Sequence, residues 1–191
     1  AANADVIVAC IGENSYCETP GNLTDLALSQ NQRNLIKALS ATGKPLVLIL
    51  NEGRPRLISD IEPLADAIVD ILLPGNFGAD ALANILAGDA NPSAKMPYTY
   101  PRHSAQLTTY DYKVSEQIDK MEGAYDYDAV ISVQWPFGYG LSYTQFSFTD
   151  LQVLDPEVAM GEDVRVKVRV TNVGEVPGTT VAQLYIRDKV A

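Results

Sequence analysis

Residues 45–51 read PLVLILN. The apolar run from Leu46 to Leu50 has no polar interruption, with Gly43 shortly before it and Asn51 closing it. A strand with one wet face would alternate, so an unbroken run of this length marks a strand buried on both faces of a parallel sheet. Working outward, ADVIVACI (4–11) repeats the pattern, and AIVDILL (67–73) repeats it again before Pro74-Gly75 stops it. Helical signals fill the gaps. Ser29-Gln30-Asn31-Gln32 forms a capping box, Leu35, Ile36 and Leu39 supply an apolar face, and Gly43 ends a helix expected over 30–42. Pro55 opens a short helical turn expected to run through Ile61. GADALANILAG (78–88) predicts a second helix with Leu82, Ile85 and Leu86 inward. The order βαβαβα gives an α/β layer fold with right-handed crossovers. Three strands of central type each want neighbours on both sides, so the chain is expected to begin partway through its domain.

The character changes near residue 89. DANPSAKMPYTYP (89–101) is rich in Pro and small residues, and 103–134 is polar and tyrosine-rich, which predicts an extended linker or a loop wrapping a neighbour. From Thr144 the period becomes two. FSFTDLQVL alternates, and DVRVKVRVTN (163–172) puts Val164, Val166, Val168 and Val170 on one face with Arg165, Lys167 and Arg169 on the other. GTTVAQLYIRD (178–188) predicts a further strand. Antiparallel strands with Pro/Gly turns are the opening of a β-sandwich, a fold that needs about seven strands, so this module is expected to be unfinished too.

The net charge of −10, from 24 acids against 14 bases, argues against nucleic acid and anionic membranes as partners. No apolar run reaches the length of a membrane span, and AANADVIV carries no signal-peptide pattern. Cys10 lies in an apolar strand and is expected to be buried; Cys17 lies in the following loop, where a bond to Cys10 would distort the strand end. No Cys/His metal pattern exists, and His103 in a Pro-rich stretch is a weak triad member.

The loop after the first strand, GENSYCETPGNLTDLAL (12–28), holds the candidate chemistry. Glu13 and Glu18 are both candidate acids at the C-terminal edge of a parallel strand, where open α/β sheets place functional groups. The bland alternative is a solvated surface loop. Glu13 sits against the strand end, which suits a bracing role. Pro20-Gly21-Asn22 makes a turn, Asp25 is a turn or cap residue, and Glu52 and Arg54 are expected to pair and brace the loops. The tyrosines between 98 and 143 suggest sugar-stacking platforms, but most are expected to be linker residues packing against the sandwich.

Several stretches resemble one family. GENSYCETPGN (12–22), the Leu26–Gln32 segment, TGKPLVLILNEGRP (42–55), LPGNFGADALANILAGDANPSAKMPYTYP (73–101) and WPFGYGLSYTQF (135–146) are similar, in that order, to segments of the family 3 glycoside hydrolases. The two later stretches are the most specific. Phe137-Gly138-Tyr139-Gly140 keeps the family's pattern, whereas Ala94 stands for its usual Gly and Met96 for its usual Leu.

The resemblance implies a partial parallel α/β sandwich followed by a partial antiparallel β-sandwich. Residues 1–101 would be the C-terminal half of the α/β sandwich domain, 102–143 an extended linker, and 144–191 the first strands of a fibronectin type III-like domain. It implies an N-terminal (β/α)8 barrel, outside this chain, that carries a nucleophilic aspartate. Glu18 would be the general acid/base of a retaining, exo-acting β-glycosidase, a β-glucosidase above all, with Tyr16 and Asn22 near the substrate. Retaining hydrolysis needs two carboxyl groups about 5–5.5 Å apart, so no cofactor or metal is implied. The partners would be an oligosaccharide or β-glucoside and the missing barrel, in a periplasmic or extracellular setting. The rival reading is a non-catalytic carbohydrate-binding or spacer module.

Overall fold

The computed structural model describes residues 1, 3–106, 108, 110–111 and 132–186. They divide into two compact units. One takes Ala1–Ala83 and the described residues of 96–139; the other takes Asn84–Lys95 and the described residues from Gly140 onward.

In the first unit β1 (Ile7–Gly12), β2 (Leu46–Asn51) and β3 (Ala67–Asp70) form a parallel sheet in that order. The fold class read from the sequence is the one observed. Ile7 stands opposite Leu46 and Gly12 opposite Asn51, so β1 and β2 end level. As the central strand, β2 is the most deeply buried: Leu48, Ile49 and Leu50 are 0% exposed. β1 alternates instead. Ile7, Ala9 and Ile11 join the core, while Val6 and Val8 are about half exposed at 51% and 49%. Cys10 shares their face and is exposed, contrary to expectation, because the period of two puts it opposite Ile11. Cys10 and Cys17 are both free thiols. β3 stops earlier than expected. Asp70 Oδ1 accepts a hydrogen bond from the Leu72 N–H at 2.9 Å, and Leu72 turns the chain at φ +49°.

α1 (Gln30–Ser40) starts where Ser29 Oγ accepts from the Gln32 N–H. Its buried face is narrower than the sequence pattern. Ile36 is fully buried and Leu39 packs on the core, but Leu35 is exposed. Taking Ile36 out of water contributes about 1.5–3 kcal/mol. Arg33 and Lys37, one turn apart, both reach Asp60 Oδ2, at 2.8 and 3.2 Å. Partial burial would raise the Asp60 pKa, but these two cations outweigh it and hold the carboxyl below its ordinary value. The pair seats α1 over Ile58 and Ile61, which complete the core. The helical turn expected from Pro55 to Ile61 is displaced. Leu57 instead forms a parallel bridge with Ala27, and a 3-10 turn follows at Glu62–Leu64. α2 (Gly78–Ala87) has no fully buried residue; Leu82 and Ile85 are half-buried and Leu86 is exposed.

The MPYTYP and WPFGYG stretches find each other within this unit. Tyr100 N–H donates to Trp135 O at 2.8 Å, Met96 N–H donates to Tyr139 O at 2.7 Å, and the Tyr100 and Trp135 rings meet edge to face at 4.9 Å. Most of 102–143 lies outside the described residues.

In the second unit Asn91 is the hub. Its Oδ1 accepts from Ser142 Oγ and the Tyr143 N–H, both at 2.8 Å, and its Nδ2 donates to Pro177 O at 3.0 Å. β4 (Phe146–Val153) and β5 (Val166–Asn172) pair antiparallel, with an irregularity between Thr149 and Gln152. Of the strand expected at 178–188, residues 178–186 join no ladder among the described residues, and 187–188 lie outside them. Alternation can propose a strand, but only a hydrogen-bonded neighbour makes one.

Candidate active site

The loop between β1 and α1 is built from its two ends. β1 stops at Gly12, where a Cβ would lie 2.0 Å from the Asn51 carbonyl oxygen and φ is +147°. Only glycine fits there. The Gln32 amide, from the first turn of α1, grips the same residue. Gly12 N–H donates to Gln32 Oε1 at 2.8 Å, and Gln32 Nε2 donates to Gly12 O at 3.0 Å. The expected capping box is therefore half formed, because the Gln32 side chain turns to β1 rather than back to Ser29.

Glu13 follows with its side chain only 3% exposed. Its Oε2 accepts from the Gly53 and Arg54 N–H groups at 3.0 and 3.1 Å, and its Oε1 accepts from Arg54 Nε at 2.8 Å. Arg56 Nε stands 3.7 Å from the same oxygen. Burial alone would raise the Glu13 pKa, but the Arg54 guanidinium and the two backbone donors outweigh it and hold the carboxyl below its ordinary value. Glu13 is thus an anion at neutral pH with both oxygens engaged. A group in that state is a poor proton donor.

Glu18 is placed in the opposite way. It is exposed, and among the described residues nothing hydrogen-bonds its carboxylate. Its backbone sits at φ +47°, ψ −143°, a conformation that costs a non-glycine residue on the order of 1–3 kcal/mol. Glu18 precedes the 3-10 turn Thr19–Gly21, and its carbonyl accepts from the Gly21 N–H at 2.9 Å. Asn22 closes the turn by donating its N–H to Thr19 O at 3.0 Å, with its side chain exposed.

Tyr16 lies between the two glutamates. The Arg54 guanidinium carbon stands 3.8 Å over its ring centroid, and 38% of the residue is exposed. The same guanidinium donates through NH1 to Gly21 O. Gly53 makes this packing possible, since a Cβ there would come within 2.4 Å of the Tyr16 hydroxyl. The pair expected between Glu52 and Arg54 does not form. Neighbouring residues two apart in an extended segment would share a face, but the chain turns sharply at Gly53, sending Arg54 to the loop and Glu52 inward.

Glu52 is the residue whose importance the sequence concealed. It is 0% exposed. Its Oε1 lies 2.5 Å from the Tyr100 hydroxyl and 3.3 Å from the Arg56 N–H, while Oε2 has no partner among the described residues. Burial pushes its pKa up to about 7; the Tyr100 and Arg56 hydrogen bonds oppose that, and the Asp70 and Glu13 charges add to it. Nothing local in the sequence joins Glu52 to Tyr100. The available hint was an acid set directly after an apolar strand.

A model of the glycosyl hydrolase family 3 C-terminal domain matches residues 1–143. The chain belongs to glycosyl hydrolase family 3. A periplasmic β-glucosidase of Salmonella typhimurium is 39% identical over all of this chain, which covers 26% of that protein. A β-xylosidase of Formosa agariphila is 33% identical over all of this chain and is likewise covered to 26%. Among solved structures, a β-glucosidase from Listeria innocua in complex with isofagomine superposes with a TM-score of 0.75 at 29% identity, over 92% of this chain and 26% of its own. The chain therefore spans about a quarter of the length of these relatives. The candidate loop lies inside the part matched by the family 3 model. Among the described residues no helix is long and apolar enough to cross a membrane.

Proposed function

We propose that this chain supplies the general acid/base, Glu18, of a retaining, exo-acting β-glycosidase that removes terminal β-D-glucosyl residues. The contrast between the two loop glutamates carries the reading. Glu13 is buried, saturated with donors and held ionised, whereas Glu18 projects from a fixed turn with its carboxyl free to meet a substrate. In the reaction, Glu18 protonates the glycosidic oxygen as a nucleophilic carboxylate attacks the anomeric carbon. It then takes a proton from the water that releases the sugar. The nucleophile would come from a barrel domain preceding this chain in a longer, periplasmic or extracellular protein, and the reaction runs on two carboxylates and water. Residues 1–101 would form the C-terminal half of its α/β sandwich domain, 102–143 a linker, and 144–191 the start of a fibronectin type III-like domain. Tyr16 and Asn22 flank Glu18 and would contact the bound sugar.

The test is Glu18→Ala in the full-length protein, assayed on aryl β-glucosides with good and poor leaving groups. Poor leaving groups need the proton, so their turnover should fall by about 10²–10⁴-fold. Activated aryl glucosides should keep their glycosylation step, and azide, which needs no base, should restore their turnover as a β-glucosyl azide. Equal loss on both substrate types without azide rescue would overturn the assignment. An unchanged enzyme would favour a non-catalytic module.

A further inference from the structure

Arg54 touches the candidate loop at its start, middle and end. Its Nε and NH2 both reach Glu13 Oε1 at 2.8 Å, its guanidinium lies 3.8 Å over the Tyr16 ring, and NH1 donates to Gly21 O. Its backbone N–H adds a fourth contact, to Glu13 Oε2 at 3.1 Å. Glu18 lies between Tyr16 and Gly21 and makes no side-chain bond of its own among the described residues. Its strained backbone therefore depends on the residues around it, and Arg54 holds those on both sides. The planar fork is what allows this: one guanidinium offers donors in two directions and a flat face to an aromatic ring.

We infer that Arg54 is a positioning residue for the acid/base step, fixing where Glu18 presents its carboxyl by clamping both arms of the loop. This rests on the assignment of Glu18 as acid/base. A lysine would keep the charge beside Glu13 but could not also reach Gly21 O while lying flat on Tyr16. Misplacing a reacting group by about an ångström can cost on the order of 10²-fold in rate. That cost should fall on the step that needs the Glu18 proton.

The experiment compares Arg54→Lys and Arg54→Met in the full-length protein, each with Glu18 intact and with Glu18→Ala. The substrates are phenyl β-glucoside, a poor leaving group, and 2,4-dinitrophenyl β-glucoside, an activated one. With Glu18 present, both variants should lose about 10²-fold in kcat on the phenyl glucoside. KM should change little, and glycosylation by the activated substrate should be spared. In the Glu18→Ala background the Arg54 substitutions should cost nothing further on the phenyl glucoside. If Arg54→Met fails to fold, Arg54→Lys carries the same comparison. Equal losses on both substrates, or full additivity with Glu18→Ala, would overturn the positioning role. Wild-type kinetics in the Arg54 variants, beside a leaving-group-dependent loss in Glu18→Ala, would sink this inference alone. The absence of any leaving-group dependence in Glu18→Ala itself would sink both.

Discussion

The Tyr100 hydroxyl lies 2.5 Å from Glu52 Oε1 and 2.6 Å from the Arg56 carbonyl oxygen. A phenol has one hydrogen to give and here meets two acceptors. If Glu52 is a carboxylic acid, its O–H donates to Tyr100 and Tyr100 donates to Arg56, so both contacts are satisfied. If it is a carboxylate, one contact has no hydrogen. The geometry therefore favours a buried proton on Glu52, in line with a pKa near 7.

The proton makes stability fall as pH rises. Glu52 has a folded pKa of about 7 against an ordinary 4.5, so between those values the folded state holds a proton that the unfolded state has released. Folding is helped by that difference at low pH, and the advantage disappears as pH climbs from about 4.5 through 7. The full loss is about 3 kcal/mol. Glu52→Gln, which keeps a donor toward Tyr100 and cannot ionise, should flatten this part of the profile. Urea midpoints measured between pH 5 and 8 for wild type and variant check it; parallel profiles would refute it.

Glu13 should show the opposite sign. Its folded pKa lies below the ordinary value, so the stability it contributes is present above about pH 4.5 and is lost as pH falls through the folded value. Glu13→Gln should remove that acid-side dependence. It should also destabilise by about 3–5 kcal/mol at pH 7, because it leaves the partly buried Arg54 without its counter-charge. Thermal melts at pH 3.5 and pH 7 separate the two effects.

The joint between Gln32 and Gly12 should be costly to break. Gln32→Leu removes both amide bonds and leaves the Gly12 N–H and C=O without those partners, a loss of about 1–3 kcal/mol for each group that stays dry. Amide hydrogen exchange at Gly12 should speed up accordingly, while exchange in the middle of β2 should keep its protection. Slow Gly12 exchange in the variant would contradict the structure.

Much of this was legible in the residues because it depends on period and local chemistry. The parallel strands, the Ser29 cap and the Gly43 stop follow from patterns within a few residues. What was not legible depends on distant partners. A continuous apolar run does not say which of its faces is covered, so Cys10 was misplaced. Opposite charges near each other in sequence suggested Glu52 with Arg54, yet Arg54 found Glu13 across the sheet edge and Glu52 found Tyr100. The two glutamates of the loop look alike as letters. They differ only once the donors around Glu13 are in place.

Arg54 lies far downstream of the loop it holds, beyond α1 and β2. During synthesis the loop leaves the ribosome first, but its clamp is still untranslated. The turn at Glu18 has only its own local hydrogen bonds, and the anion at Glu13 lacks its Gly53 and Arg54 donors, until β2 has docked and the chain has passed Pro55. Contacts of such sequence separation close late because the intervening chain must be ordered first. The loop is thus early in the chain and late in the fold, and a nascent chain halted before Arg54 would carry both glutamates with neither yet in its place.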